Sequence, residues 1–144
     1  MNKRIYRRGD WESRLADFLS SRENLEFKYG VNDCCLFVAD AVKVMTGIDP
    51  AGDFRGKYKN LLGSKRILKG LGVRGLVELI TRDYGFEEID NPAFAHRGDV
   101  VLVESAPGDT MGLIDLSRTR VAIPGDEGLV RYELDTIKTA WRIG

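Results

Sequence analysis

The residues best suited to chemistry are Asn32-Asp33-Cys34-Cys35, which stand at the head of a long apolar run. A thiol in the first turn of a helix faces backbone N–H groups that lack an intrahelical acceptor, together with the positive end of the helix dipole. Both favour thiolate over thiol. Cys34 is therefore a candidate nucleophile. Cysteine is also among the most often buried residue types, so a packing role for Cys34 and Cys35 stays open at this level. A thiol nucleophile ordinarily relies on a histidine to take its proton, and His96 is the only histidine in the chain. It stands in His96-Arg97-Gly98-Asp99, a turn leading into the apolar run Val100-Val101-Leu102-Val103. A solvated surface role is the alternative for it.

These residues need elements to hold them. Asp10 reads as an N-cap, and Trp11, Leu15, Phe18 and Leu19 follow at the spacing of one apolar helix stripe, which predicts a helix over residues 10–21. Residues 34–45 are apolar at almost every position except Asp40 and Lys43 and stop at Thr46-Gly47, where a C-cap glycine belongs. This is the pattern of a mostly buried central helix. Residues 48–60 read as a surface loop, and two shorter helices are expected over 64–71 and 74–84. Beyond Phe86 the texture changes to short β-type runs at 86–89, 99–104, 112–117, 120–123, 129–132 and 139–143, with Asp126-Glu127-Gly128 as a hairpin turn and Trp141 as a core anchor. Such spacings leave no room for crossover helices. The expected class is α+β, with N-terminal helices packed on a C-terminal antiparallel sheet or meander.

The 144 residues, 43% hydrophobic and 31% charged, suit one domain over 1–144 with a single core. With 22 basic and 22 acidic residues the formal net charge is zero, so no global field draws the chain to nucleic acid or anionic lipid. No apolar stretch approaches the roughly 20 residues of a membrane span. The basic start, Lys3, Arg4, Arg7 and Arg8 around Tyr6, lacks the apolar stretch of a signal peptide and reads as a solvated, mobile end. A cytoplasmic or virion-associated protein is the expectation. Adjacent cysteines rarely form a relaxed disulfide and are not the Cys-x-x-Cys arrangement of redox proteins. A zinc site needs four ligands where Cys34, Cys35 and His96 provide three at most, so neither metal nor cofactor is expected.

Asn32-Asp33-Cys34 opening a buried helix, then Gly98-Asp99-Val100-Val101 and Met111-Gly112-Leu113-Ile114, resemble the NlpC/P60 papain-like fold. In that fold a helix-start cysteine, a strand histidine and a third polar residue cleave peptide or amide bonds, often in peptidoglycan stem peptides. The pattern is closer still to a phage-derived branch, the uncharacterised DUF6950-type family found among phage and prophage genes. Trp11 to Leu15, Gly30 to Cys34, Thr46-Gly47, Arg97-Gly98-Asp99-Val100, Ile123-Pro124-Gly125 and Ala140-Trp141-Arg142-Ile143 carry it, over nearly the whole chain.

The resemblance implies Cys34 at the nucleophile position and a histidine two residues before the strand glycine. Here that residue is Thr110, and the third polar position falls near Ala122. A well-placed general base contributes roughly 10²- to 10⁴-fold. Asp109 or Asp115 lies near the strand ends, but a carboxylate of ordinary pKa is a weak base at neutral pH. The resemblance thus leads to the expectation of a catalytically impaired scaffold acting as a binding or tail-assembly component, its partner a phage tail or other virion protein or a cell-wall peptide. The alternative is a working cysteine peptidase or amidase with Cys34 as nucleophile and His96, or a carboxylate, brought to it.

Overall fold

The structure, a computed structural model, describes residues 6–52, 55–56, 84–105 and 108–144, without the side chains of 105, 108 and 109. The helices expected over 64–71 and 74–84 lie outside the described residues, Tyr84 excepted. Among the described residues two α-helices, α1 (Trp11–Arg22) and α2 (Cys34–Thr46), precede six strands: β1 (Glu87–Glu88), β2 (Val100–Ser105), β3 (Gly108–Ile114), β4 (Arg120–Gly125), β5 (Gly128–Glu133) and β6 (Ile137–Arg142). The class is α+β, with all strand pairs antiparallel in the order β1-β6-β2-β3-β4-β5. Strands β2 to β5 form the expected meander. Strand β6 does not continue it but returns to pair with β2. Among the described residues no helix is long and apolar enough to cross a membrane.

The return of β6 forces the sheet to curl. Only Leu134–Thr136 joins β5 to β6, although β2, β3 and β4 lie between them. Four flat strand spacings would span about 19 Å, whereas the four steps from Glu133 to Ile137 reach about 14 Å at full extension. The strands therefore wrap, as twisted sheets do when they approach closure. Wrapping divides the apolar residues into two cores. Ile89, Ala95, Val101, Val103, Ile114, Val121, Ile123 and Ala140 form one. The alternate residues Val100, Leu102, Met111, Leu113, Ala122 and Trp141 join the helices in the other. Gly112 faces the first core, where a Cβ would come within 2.6 Å of Ile123 Cγ1 and 2.8 Å of Val121 Cγ1. Any side chain there would hold β3 and β4 apart.

Helix α2 is apolar on nearly every face because it lies between the sheet and α1, and its residues 35–39, 41, 42 and 45 are buried. Phe37 meets Phe18 of α1 with ring centroids 5.3 Å apart. The helix stops where expected, at Gly47, whose φ of 83° closes the last turn through an N–H bond to Lys43 O. The start of α1 differs from expectation. Asp10 makes no side-chain cap; its carboxylate takes Arg14 Nε at 2.9 Å instead.

The basic start of the chain, expected to be a mobile end, is held in place at Arg7. Arg7 donates to Ile143 O at 2.6 Å, Arg97 O at 2.9 Å and Asp99 Oδ1 at 2.8 Å, and its guanidinium lies 4.2 Å from the Trp11 ring centroid. Asp99 is only 1% exposed and accepts further bonds from the N–H groups of His96 and Ile143. The clasp ties both chain ends to the start of β2, and partnership with a buried carboxylate is what a tail reading based on charge alone misses. Lys3 and Arg4 lie outside the described residues. Asp99→Ala strands a guanidinium and two N–H groups, and is expected to lower the unfolding free energy by about 3 kcal/mol. Urea denaturation checks this, and a loss below about 1 kcal/mol contradicts it.

Candidate functional site

The segment from 23 to 33 carries the chain from α1 to Cys34. Backbone bonds tie it to the β4–β5 hairpin, Phe27 N–H to Gly125 O at 2.8 Å and Leu129 N–H to Glu23 O at 3.0 Å, and side chains tie it to the helices. Asn32, 1% exposed, donates from Nδ2 to Glu26 O at 3.0 Å and Leu25 O at 3.3 Å. Its Oδ1 accepts Arg22 Nη1 at 3.0 Å, while Arg22 Nη2 reaches Asp40 Oδ2 of α2 at 2.8 Å. Arg55 joins the other oxygen of Asp40 at 2.7 Å and also binds Asp49, whose carboxyl it holds below the usual carboxylate range. The network fastens the loop to both helices, and no local pattern in the sequence announces it.

Asp33 then sets where α2 begins. Its Oδ1 accepts Leu36 N–H at 2.9 Å as an N-cap, and its Oδ2 accepts Gly30 N–H at 2.9 Å across a turn that needs Gly30 at φ 81°. The sequence signal was the aspartate directly before the apolar run, and the cap belongs here rather than at Asp10.

Cys34 is half-buried and its thiol is lowered to about 7. The largest cause is the Cys35 thiol, which donates to the Cys34 sulfur; Met111 N–H and the Thr110 hydroxyl add to it, while burial and the Asp33 charge oppose. Acting as that donor, and buried itself, Cys35 is pushed well up. Its sulfur also lies 3.8 Å from Met111 Sδ. The sheet explains why Met111 is free to donate. Ile114 N–H bonds Asp99 O on β2, and N–H groups alternate sides along an antiparallel strand, so Met111 turns its N–H toward β4. Strand β4 pairs with β3 only at Leu113 and Ile114. The open ladder leaves Met111 to meet the head of α2.

The fold does not bring His96 to this place. Its N–H binds Asp99, and it borders a cavity of about 250 Å³ with Arg7, Asp99, Arg142, Ile143 and Gly144. Gly98, two residues on, bonds Ile114 O, four residues along β3 from Thr110. That is about 13 Å of strand. Asp115 closes the β3–β4 hairpin, accepting from Ser117 Oγ at 2.7 Å and Thr119 N–H at 3.2 Å. The Asp109 side chain lies outside the described residues. Ala122 is fully buried in the core that contains Cys35. The side chain the fold does set against Cys34, besides Cys35, is Thr110. Among the described residues no three His, Cys, Asp or Glu side chains gather as a metal site.

Fold and site together define an α+β domain with an ionisable cysteine at the head of its buried helix. Over residues 6–143 the chain matches the family described as a domain of unknown function, DUF6950, and it belongs to that family. No curated protein matches it. Asp33→Ala removes two buried acceptor contacts at the helix start and is expected to destabilise the fold by about 2 kcal/mol. Thermal unfolding measures it, and an unchanged midpoint contradicts the role given to Asp33.

Proposed function

We propose that the chain is an NlpC/P60-like, papain-type domain of phage or prophage origin whose hydrolytic centre has no base. It works as a binding or tail-assembly component, virion-associated or cytoplasmic, and the face that would be the substrate cleft of an active relative takes a segment of a virion protein or a cell-wall peptide. One observation carries this reading: the side chain that meets Cys34 from β3 is the hydroxyl of Thr110. A threonine hydroxyl neither accepts the thiol proton at neutral pH nor returns one to a leaving amine. The position of the orienting group, Ala122, is apolar and sealed in the core.

A thiol at about 7 favours the second reading, an active cysteine peptidase or amidase, because such a group is about half ionised at neutral pH without help. Attack is only half of the chemistry, however. An amine leaves a tetrahedral intermediate only when protonated, the step a histidine acid performs, and the Thr110 hydroxyl and raised Cys35 thiol set against Cys34 are too weak as acids to supply that proton at neutral pH. Deeper loss of amide hydrolysis than of thiol reactivity follows.

The test is turnover of stem-peptide and simple peptide amides by the full chain, compared with Cys34→Ala. Equal, background rates are expected for the two. Thr110→His is expected to raise Cys34-dependent turnover by about 10²-fold over the unaltered chain, the lower end of what a base contributes. Cys34-dependent hydrolysis by the unaltered chain would establish the peptidase and overturn the proposal.

A further inference from the structure

A cavity of about 520 Å³ that the proposed function does not use opens between residues 91–95, the β3–β4 hairpin and the β5–β6 connection. Its apolar lining is Ala95, Ile114 and Ile137, from the core inside the curl of the sheet, with Leu134 exposed beside them. Cys34 packs against the other core, so the two places lie on different faces of the sheet. The volume falls in the range of sites that take small organic ligands, and such sites combine an apolar lining with a few polar groups that orient the guest.

Two residues of opposite charge border this cavity, and neither has an ion-pair partner among the described residues. Arg118 comes from the β3–β4 hairpin. Its Nε donates to Ala95 O at 3.1 Å and its Nη2 to Ala93 O at 3.4 Å, so the guanidinium is held by neutral carbonyls and its charge stays uncompensated. Asp135 comes from the β5–β6 connection and is exposed. Arg118 is also the only non-glycine residue of positive φ among the described residues, at 60°, a left-handed conformation that is costly for any residue with a Cβ. Backbone strain of this kind gathers at ligand clamps, where the position of one side chain outweighs the local cost. We propose that the cavity binds a short apolar peptide with free ends. Its terminal carboxylate meets Arg118, its terminal ammonium meets Asp135, and its side chains cover Ile114, Leu134 and Ile137. The charges decide for such a guest over a simple anion or cation. A singly charged molecule answers one of the two residues and sets a like charge near the other, whereas a zwitterion complements both.

The experiment titrates the full, isotope-labelled chain with the dipeptide phenylalanyl-leucine and follows backbone amide shifts by NMR. Saturable shifts at residues 91–95, 114, 118 and 134–137 are expected. Acetylating the amine of the dipeptide, or amidating its carboxylate, should each weaken binding about fivefold, the upper end of what an exposed ion pair contributes. Asp135→Asn should then bind the free and acetylated dipeptides alike. Arg118→Gly, which suits the left-handed backbone, should bind the free and amidated ones alike. The absence of saturation by about 10 mM, shifts confined to the surroundings of Cys34, or equal affinity of the unaltered chain for the free, acetylated and amidated dipeptides would each overturn the proposal. The comparison of those dipeptides on the unaltered chain decides the matter if a variant fails to fold.

Discussion

The site depends above all on where α2 begins, and a single carboxylate determines that. Asp33 is 4% exposed and spends its two oxygens on Leu36 N–H ahead and Gly30 N–H behind. Successive residues of a helix are turned by about 100°, so a start displaced by one residue would carry Cys34 away from β3. Because α2 is apolar on most of its surface, hydrophobic burial alone does not choose among such registers. The N-cap and the Arg22–Asn32–Asp40 network supply the missing specificity.

A second buried aspartate does comparable work at the start of β2. Asp99 gathers Arg7, His96 N–H and Ile143 N–H, and so joins the two chain ends to the strand that β3 and β6 flank. With β2 anchored, the short connection from β5 to β6 curls the sheet, and the β3–β4 ladder is limited to two pairs. The N–H freed at Met111 is the one that reaches Cys34. Site chemistry and sheet curvature are thus one arrangement seen at two scales.

Much of this was legible in the sequence, and the parts that were not share a cause. The 3.6-residue stripe of α1, the apolar run of α2 with its glycine stop, and the six short strands are local signals, and each element stands within a few residues of its expected place. Cys34 at the helix head was legible for the same reason. Strand β3 begins at Gly108 rather than 112, because pairing with β2 recruits residues of no strand-like pattern. The return of β6, the clasp of Arg7 on Asp99 and the contact of Thr110 with Cys34 join residues far apart in the chain, and periodicity carries no information about them. Asp10 and Asp33 show the ambiguity in small. Both precede an apolar stripe, but the arginine at 14 draws the first carboxylate away from its helix start, while a glycine turn directs the second onto its own.

The account rests on one claim, that the surroundings of Cys34 ionise it without a proton-accepting side chain. The most direct measurement is the pH dependence of iodoacetamide alkylation at each cysteine of the folded chain, read by peptide mass spectrometry. The account predicts a Cys34 rate that rises with pH through a midpoint near 7 and a Cys35 that stays unmodified over the same range. A Cys34 midpoint at the ordinary thiol value of about 8.5, or equal reaction at both cysteines, would contradict it.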